Sequence, residues 1–343
     1  MPTLPLSDCA FVAETIGCLS PDHEPLRMLI SGGTGFFGRW FLEPALLACD
    51  RAGLRFTASV ITRSIAAFEA AAPHVARHPC IRLIEGDVRS FSLPEHAFTH
   101  VVHLAASNRL ADYATAPQEQ IDVIVDGTRR MLSAARACGA KRFLYASSGA
   151  VYGRQPADIP RLREDCGRGP DPLAPMQAYG IAKSMAEHLC CQASRGGRLG
   201  AVIARGFAFA GPLFPLETHQ AFGSLMADGL AGRTLQILGD GTARRSYLYG
   251  ADLAMWLWTL LLQGKSNTAY NVGSEEEISV EELARLIGAH FGVRYSVVKA
   301  PDPSKPGDRY VPSTARARAL GLRQNFSLEH AIVMAARHVR SAG

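Results

Sequence analysis

Of the 343 residues, 48% are hydrophobic and 20% charged, a balance that excludes wholesale disorder, collagen-like repeats and coiled coils. The 36 basic and 31 acidic residues leave a net charge of +5 scattered without a basic stripe, which argues against nucleic acid and suits a small anionic substrate. Eight cysteines with no C-x-x-C pair, in a chain too long to need staples, read as reduced cytosolic thiols.

Residues 1–24 show no clear period and are expected to form a peripheral or mobile arm. No window approaches 18 uncharged apolar residues and the start is not basic, so neither a membrane span nor a secretory signal is expected. From Arg27 onward short apolar runs alternate with helical patterns, the rhythm of a parallel sheet covered on both faces. Strands are predicted at Met28–Ser31, Phe56–Thr62, Ile81–Glu85, His100–Ala105, Arg142–Ser147 and Ala201–Arg205. Helices are predicted to start near Phe36, Ile65, Gln118 and Met176. After Arg205, Gly211-Pro212 and Pro215 break the pattern. Helices are then expected at Gln220–Leu230, Asp252–Leu262, Val280–Phe291 and Ser327–Val339, with short strands at Thr234–Leu238, Ala269–Val272 and Arg294–Lys299. The expected plan is an α/β fold: a doubly wound parallel sheet of the Rossmann type over 25–206, followed over 207–343 mainly by a smaller α+β substrate-binding lobe, with the cleft between them.

The run SGGTGFFG places Gly33, Gly35 and Gly38 in G-x-G-x-x-G spacing between a strand and a helix. Glycines there permit a tight turn and let the helix N-terminus hold a diphosphate, while Phe36 and Phe37 pack the turn. The next strand ends in Thr62, Arg63 and Ser64, with no carboxylate to accept a ribose 2′-hydroxyl. An arginine at this point neutralises a 2′-phosphate, so the reading favours NADP over NAD. Asp87-Val88 after the third strand reads equally as an adenine border or as a turn.

Further on, Tyr179 and Lys183 are four apart in a helical pattern and share a face. A phenol with a reference pKa of about 10 is a poor base at neutral pH, but an adjacent ammonium favours its phenolate. Ser148, at the end of the preceding strand, can hydrogen-bond the same substrate oxygen. Together these groups suit removal of a proton from a sugar hydroxyl as a hydride leaves, or the reverse.

At these residues the chain resembles the extended short-chain dehydrogenase/reductase family, the nucleotide-sugar epimerases, dehydratases and reductases. The resemblance runs over about Leu26–Leu322 through SGGTGFFG, HLAA (103–106), SSGAVYG, Y-x-x-x-K, ARGFAFAGP (204–212), GDGTARRSYLYGADLA (239–254) and KPGDRY (305–310). It implies that Ser148, Tyr179 and Lys183 are the catalytic triad, that Leu104, Ala105 and Ala106 line the cofactor cleft, and that Arg245 grips the diphosphate of a nucleotide sugar. Lys305 stands where the family places a second arginine, with Arg309 as a replacement. Apart from the resemblance, His219 follows the irregular loop 212–218, where it reads either as facing the sugar or as a solvated loop residue. A cytoplasmic homodimer is expected.

Three departures bear on the reaction. Dehydratases of the family carry an Asp-Glu pair after the catalytic Thr or Ser, whereas this chain has Gly149-Ala150; the family asparagine before Gly-Pro is Ala208; and another, before the Gly-Thr of the long helix, is Ile124. The expectation is therefore oxidation or reduction at sugar carbon 4, by a 4-ketoreductase or a 4-epimerase. The alternatives are a 4,6-dehydratase with its acid and base at unfamiliar positions, Glu164 and Asp165 first among them, or a cofactor sensor without turnover, which the retained Tyr-Lys pair argues against. His100, His103 and Cys80 lack metal-ligand spacing, so no metal is expected; Trp256 and Trp258 are expected in the core.

Overall fold

A computed structural model describes residues 4–19, 25–93, 97–106, 116–216, 218, 220–302 and 307–342. Six strands match the runs read from sequence to within two residues: β1 (Leu26–Ser31), β2 (Phe56–Thr62), β3 (Ile81–Glu85), β4 (His100–His103), β5 (Arg142–Ser148) and β6 (Gly200–Gly206). Further strands come later at β7 (Ala208–Ala210), β8 (Leu235–Ile237), β9 (Arg244–Tyr249), β10 (Thr268–Val272), β11 (Glu277–Ser279), β12 (Tyr295–Val297) and β13 (Arg309–Tyr310). Seven form one sheet in the order β10-β6-β5-β4-β1-β2-β3, parallel throughout. The order reverses between β1 and β4, and ligands of such sheets bind at the carboxyl ends of the strands at that reversal.

Helices cover both faces, which is why central strands such as β1 and β5 are buried almost without alternation. Helix α2 (Phe36–Ala52) buries Trp40, Phe41 and Leu42. Phe41 stacks on Trp258 of the helix Gly250–Gln263, centroids 4.4 Å apart and planes 4° apart. Both Trp256 and Trp258 are core residues. Among the described residues, no helix is long and apolar enough to cross a membrane.

Beyond residue 206 lies a smaller mixed region. Strand β9 runs antiparallel to β11 and parallel to β7 and β13, while β8 pairs with β12. The expected division at 206/207 is crossed by the later chain: β10 returns to pair with β6 at the sheet edge, and the helix Gly250–Gln263 packs against β5 and β6. Parallel pairing needs a crossover, and that helix supplies it.

The expected peripheral arm is corrected. Leu6–Leu19 is a helix, α1, docked on α2 and on Gly250–Gln263. Its buried residues Cys9, Val12, Ala13 and Ile16 fall at i, i+3, i+4 and i+7, one helical face. Exposed apolar Leu6 and Phe11 blur that period in the sequence. Beside this face the carboxylate of Asp8 accepts the hydroxyl of Tyr249 at 2.5 Å and faces His330 Nε2 at 3.3 Å.

Candidate active site

The glycine turn sits at the end of β1. A Cβ on Gly38 would lie 2.3 Å from the Gly32 carbonyl oxygen, and one on Gly32, at φ +73°, would lie 2.5 Å from the backbone nitrogen of Ala105. Bare backbone is what lets α2 and the Leu104-Ala105-Ala106 segment close on the turn. Gly33 is equally tight, against Val60 of β2 at 2.6 Å. Gly35 differs: it caps α2 without a side-chain hydrogen bond, and a Cβ there would find nothing nearer than 3.8 Å. The first N–H groups of a helix have no acceptor within it, so a helix N-terminus at the end of β1 fits the diphosphate of a dinucleotide. Phe36 and Phe37 pack onto the later region, Phe37 on Phe209 at 4.9 Å and Phe36 on Phe214 at 5.5 Å.

At the far end of this crevice, Arg63 is exposed beyond β2, and the Ser64 hydroxyl caps the next helix by accepting the Ala67 N–H at 3.1 Å. Asp87 is a turn residue, taking the backbone N–H of Arg89 at 2.8 Å and its guanidinium at 2.8 and 2.7 Å. The Arg89 hydrogen bond holds the carboxyl below its usual range, with Arg63 among the cations that help. Val88 is buried under the helix Pro117–Ala137, where a Cβ on Gly127 would lie 2.9 Å from it.

The catalytic candidates converge. Ser148 ends β5, and its oxygen accepts the Ala150 N–H at 3.2 Å. Tyr179 opens the helix Ala178–Ser194. Gly180 allows that helix to press on the turn after Ser148, since a Cβ there would lie 2.4 Å from the Ala150 carbonyl oxygen. This contact brings the Tyr179 phenol to Ser148. Burial pushes the phenol up to about 12, and the Ser148 hydrogen bond works in the opposite direction. Lys183 is buried, and its ammonium donates to the Ala146 carbonyl at 2.7 Å. It lies 4.9 Å from the ring centre of Tyr145 and 5.7 Å from that of Tyr179. Burial pulls it down to about 7, against the pull of Glu187.

Beneath the triad runs a polar spine that the sequence reading missed. Glu187 accepts from the Ser147 hydroxyl at 2.5 Å and from Arg205 at 2.9 and 2.6 Å. Arg205 also donates to the Tyr152 hydroxyl at 2.9 Å, which in turn donates to Asn271 Oδ1 at 2.7 Å. Glu187 lies one helical turn past Lys183, a spacing that places it on the same face, and this is the signal that was available. His103 is a structural residue, bridging Ser31 at 2.6 Å and Thr128 at 3.1 Å, and burial pulls it down to about 3, so its ring is neutral.

On the other side of the chemistry lies a cleft of about 370 Å³ whose lining includes Ala150, Tyr179, Arg245, Asp308, Arg309 and Tyr310. Of the expected diphosphate-binding cations, Arg245 and Arg309 are here, each already paired. Arg245 donates to the Asp308 carboxylate at 2.8 Å and carbonyl at 3.0 Å, Arg309 approaches Glu277 at 3.1 Å, and Arg244 contacts the same Glu277. The candidates His219 and Lys305 lie outside the described residues. Among the described residues, no cluster of three or more His, Cys, Asp or Glu is placed to hold a metal.

Known proteins of similar sequence and fold can be set beside this geometry. UDP-glucuronic acid decarboxylase 2 of Arabidopsis thaliana is 26% identical over 319 residues, 93% of this chain and 69% of that protein. A dTDP-glucose 4,6-dehydratase double mutant from Streptomyces venezuelae, solved with NAD bound, superposes with a TM-score of 0.77 at 23% identity, covering 92% of this chain and 97% of that one. A UDP-glucuronic acid 4-epimerase from Bacillus cereus, in complex with UDP-glucuronic acid and NAD, gives 0.77 at 21% identity, covering 93% and 100%. The model of the NAD dependent epimerase/dehydratase family matches residues 28–273, which takes in the glycine turn, Ser148, Tyr179, Lys183 and Arg245, and the chain is an enzyme belonging to that family.

Proposed function

We propose that the protein oxidises or reduces carbon 4 of a nucleotide-diphosphate sugar, as a 4-ketoreductase or a 4-epimerase, with NADP favoured over NAD. The observation that carries this reading is the pair of residues directly after Ser148. Gly149 and Ala150 hold no acid or base, and the space beside residue 149 is filled by the Tyr310 hydroxyl and the Phe207 ring, which a Cβ there would meet at 2.5 and 2.8 Å. Removing water across carbons 5 and 6 requires both an acid and a base at the sugar. Glu164 is engaged with the Asn271 N–H at 2.9 Å, and Asp165 with Arg163 at 3.0 Å on the surface.

Within the site, Tyr179 moves the proton of the carbon 4 oxygen, Ser148 holds that oxygen by a hydrogen bond, and Lys183 supplies the positive charge beneath the phenol ring. The bound dinucleotide supplies the nicotinamide that takes or returns the hydride. Its preference for the 2′-phosphate form rests on Arg63, which faces no carboxylate on β2.

A panel of nucleotide sugars, including 4-keto-6-deoxy forms, with NADPH, NADH or neither, and with products identified by NMR, tests the proposal. A 4-keto sugar with NADPH should consume one coenzyme per product, more readily than with NADH; a 4-epimerase would instead interconvert epimers without net consumption. Formation of a 4-keto-6-deoxy sugar from a nucleotide-glucose without net coenzyme consumption overturns the reading.

A separate expectation concerns Arg245. A charge-assisted contact to a diphosphate contributes about 1.5–3 kcal/mol, so Arg245→Ala should weaken UDP or dTDP by roughly tenfold to a hundredfold and leave NADP affinity unchanged. Calorimetric titration of both nucleotides checks it, and equal binding by both proteins would remove Arg245 from the substrate site.

A further inference from the structure

Asn271 carries no signal in the sequence beyond its place in a short predicted strand, yet both walls of the substrate cleft hang from it. It lies on β10, the edge strand of the seven-stranded sheet, and is fully buried. Its carboxamide oxygen accepts the Tyr152 hydroxyl at 2.7 Å. Its carboxamide nitrogen donates to the Leu162 carbonyl at 2.8 Å and to the Ser313 carbonyl at 3.0 Å, and its backbone N–H donates to Glu164 at 2.9 Å. An amide has two hydrogens to give, and both are used. Three segments distant in the chain are thereby held to one side chain.

Those segments carry the cleft. Gly153, Arg154 and Gln155 follow Tyr152 and line one side, while Asp308, Arg309 and Tyr310 precede the stretch 311–314 and line the other. The two sides are laced together: the Val311 N–H donates to Gln155 Oε1 at 2.9 Å, the Leu162 N–H to the Val311 carbonyl at 2.9 Å, and the Ser313 N–H to the Leu162 carbonyl at 2.7 Å. Two residues past Asn271, a Cβ on Gly273 would lie 2.9 Å from Pro312, so bare backbone there lets this stretch settle on the strand end. Asp308 stands three residues before Val311 and holds Arg245, through its carboxylate at 2.8 Å and its carbonyl at 3.0 Å.

We propose that Asn271 is a positioning residue for the nucleotide sugar: by fixing the stretch 311–314 to the sheet edge, it keeps Asp308 where it orients Arg245 in the cleft. A buried carbonyl left without its donor carries the full cost of desolvation. When Asn271 cannot donate, the stretch therefore shifts to find other partners, and the shift passes to Asp308 and Arg245. The glycine turn belongs to β1 and α2, not to these segments, so coenzyme affinity stays. This inference rests on Arg245 gripping the diphosphate of the proposed substrate.

The test is calorimetric titration of UDP, dTDP and NADPH into the full chain. Asn271→Asp keeps the size of the side chain and still accepts from Tyr152, but a carboxylate has no hydrogen for the Leu162 and Ser313 carbonyls. It should weaken UDP or dTDP by roughly tenfold and change NADPH by less than about twofold, a split that general loosening of the fold would not give. Because the loss runs through Arg245, the same substitution in an Arg245→Ala background should cost less than about threefold more. Where Asn271→Asp does not fold, Tyr152→Phe takes its place: it keeps the ring beside Phe207 and removes the donor that fixes which way the Asn271 amide faces. It should weaken UDP or dTDP by roughly two- to fivefold with NADPH unchanged. Unchanged UDP and dTDP affinity, an equal loss for NADPH, or a full further loss in the Arg245→Ala background overturns the proposal. If Arg245→Ala binds the nucleotides as wild type does, the substrate site is wrong and this inference falls with it; a loss in Arg245→Ala without one in Asn271→Asp overturns this inference alone.

Discussion

Tyr179→Phe should lower turnover by roughly 10²- to 10⁴-fold, the range of a positioned general acid or base, while fold and coenzyme affinity stay close to wild type. The lost atom is a single hydroxyl at the end of a ring that remains packed against the apolar cluster to which Tyr145 and Ile203 belong. Single-turnover rates, coenzyme titration and circular dichroism separate the chemical step from the rest. The pH dependence carries a sign. In the oxidising direction only the phenolate accepts the proton, so the rate climbs with pH until Tyr179 is ionised; in the reducing direction the neutral phenol donates, and the rate falls over that range. Burial, which pushes the phenol up to about 12 in the free protein, places that range on the alkaline side. Near-wild-type turnover by Tyr179→Phe would sink the mechanism.

The second large effect belongs to Glu187. Its side chain is 10% exposed and that of Arg205 16%, so Glu187→Ala leaves a guanidinium largely out of water without its carboxylate. Breaking such a pair costs about 3–5 kcal/mol. With an unfolding entropy of about 2 cal/mol/K per residue, the melting midpoint should drop by roughly 5 °C. The same variant removes the charge that helps Lys183 keep its proton, so activity near neutral pH should fall further than stability alone requires. Glu187→Gln, which preserves volume and can still bond Ser147, should fall between. A midpoint within about 1 °C of wild type would reduce the pair to the small contribution of a surface bridge.

Legibility in the sequence tracked the physics of each element. Parallel strands buried on both faces leave unbroken apolar runs, so β1 to β6 were readable. Ser148, Tyr179 and Lys183 were readable because the last two share a helix face and the first ends a strand. Strand β13 has two residues and offers no period, and β9 begins with two arginines that look like surface charge. The meeting of Gly149 with Tyr310 joins distant segments and leaves no local trace. Charge type was legible at Arg245 and Arg309; their pairing with Asp308 and Glu277 was not, because those carboxylates arrive on the segment before β13 and on β11. Helix α1 was obscured by apolar residues on its exposed side.

The docking of α1 bears on how the chain is made. Synthesis runs from the N-terminus, so Cys9, Val12 and Ile16 emerge well before the helix Gly250–Gln263 that covers them, and before Tyr249 and His330 that close on Asp8. For most of translation this apolar face lacks part of its native cover, and the nascent chain must carry it exposed or shielded by a chaperone until the last third of the protein has left the ribosome. The clasp at Asp8 therefore cannot close until Tyr249 and His330 have both been made.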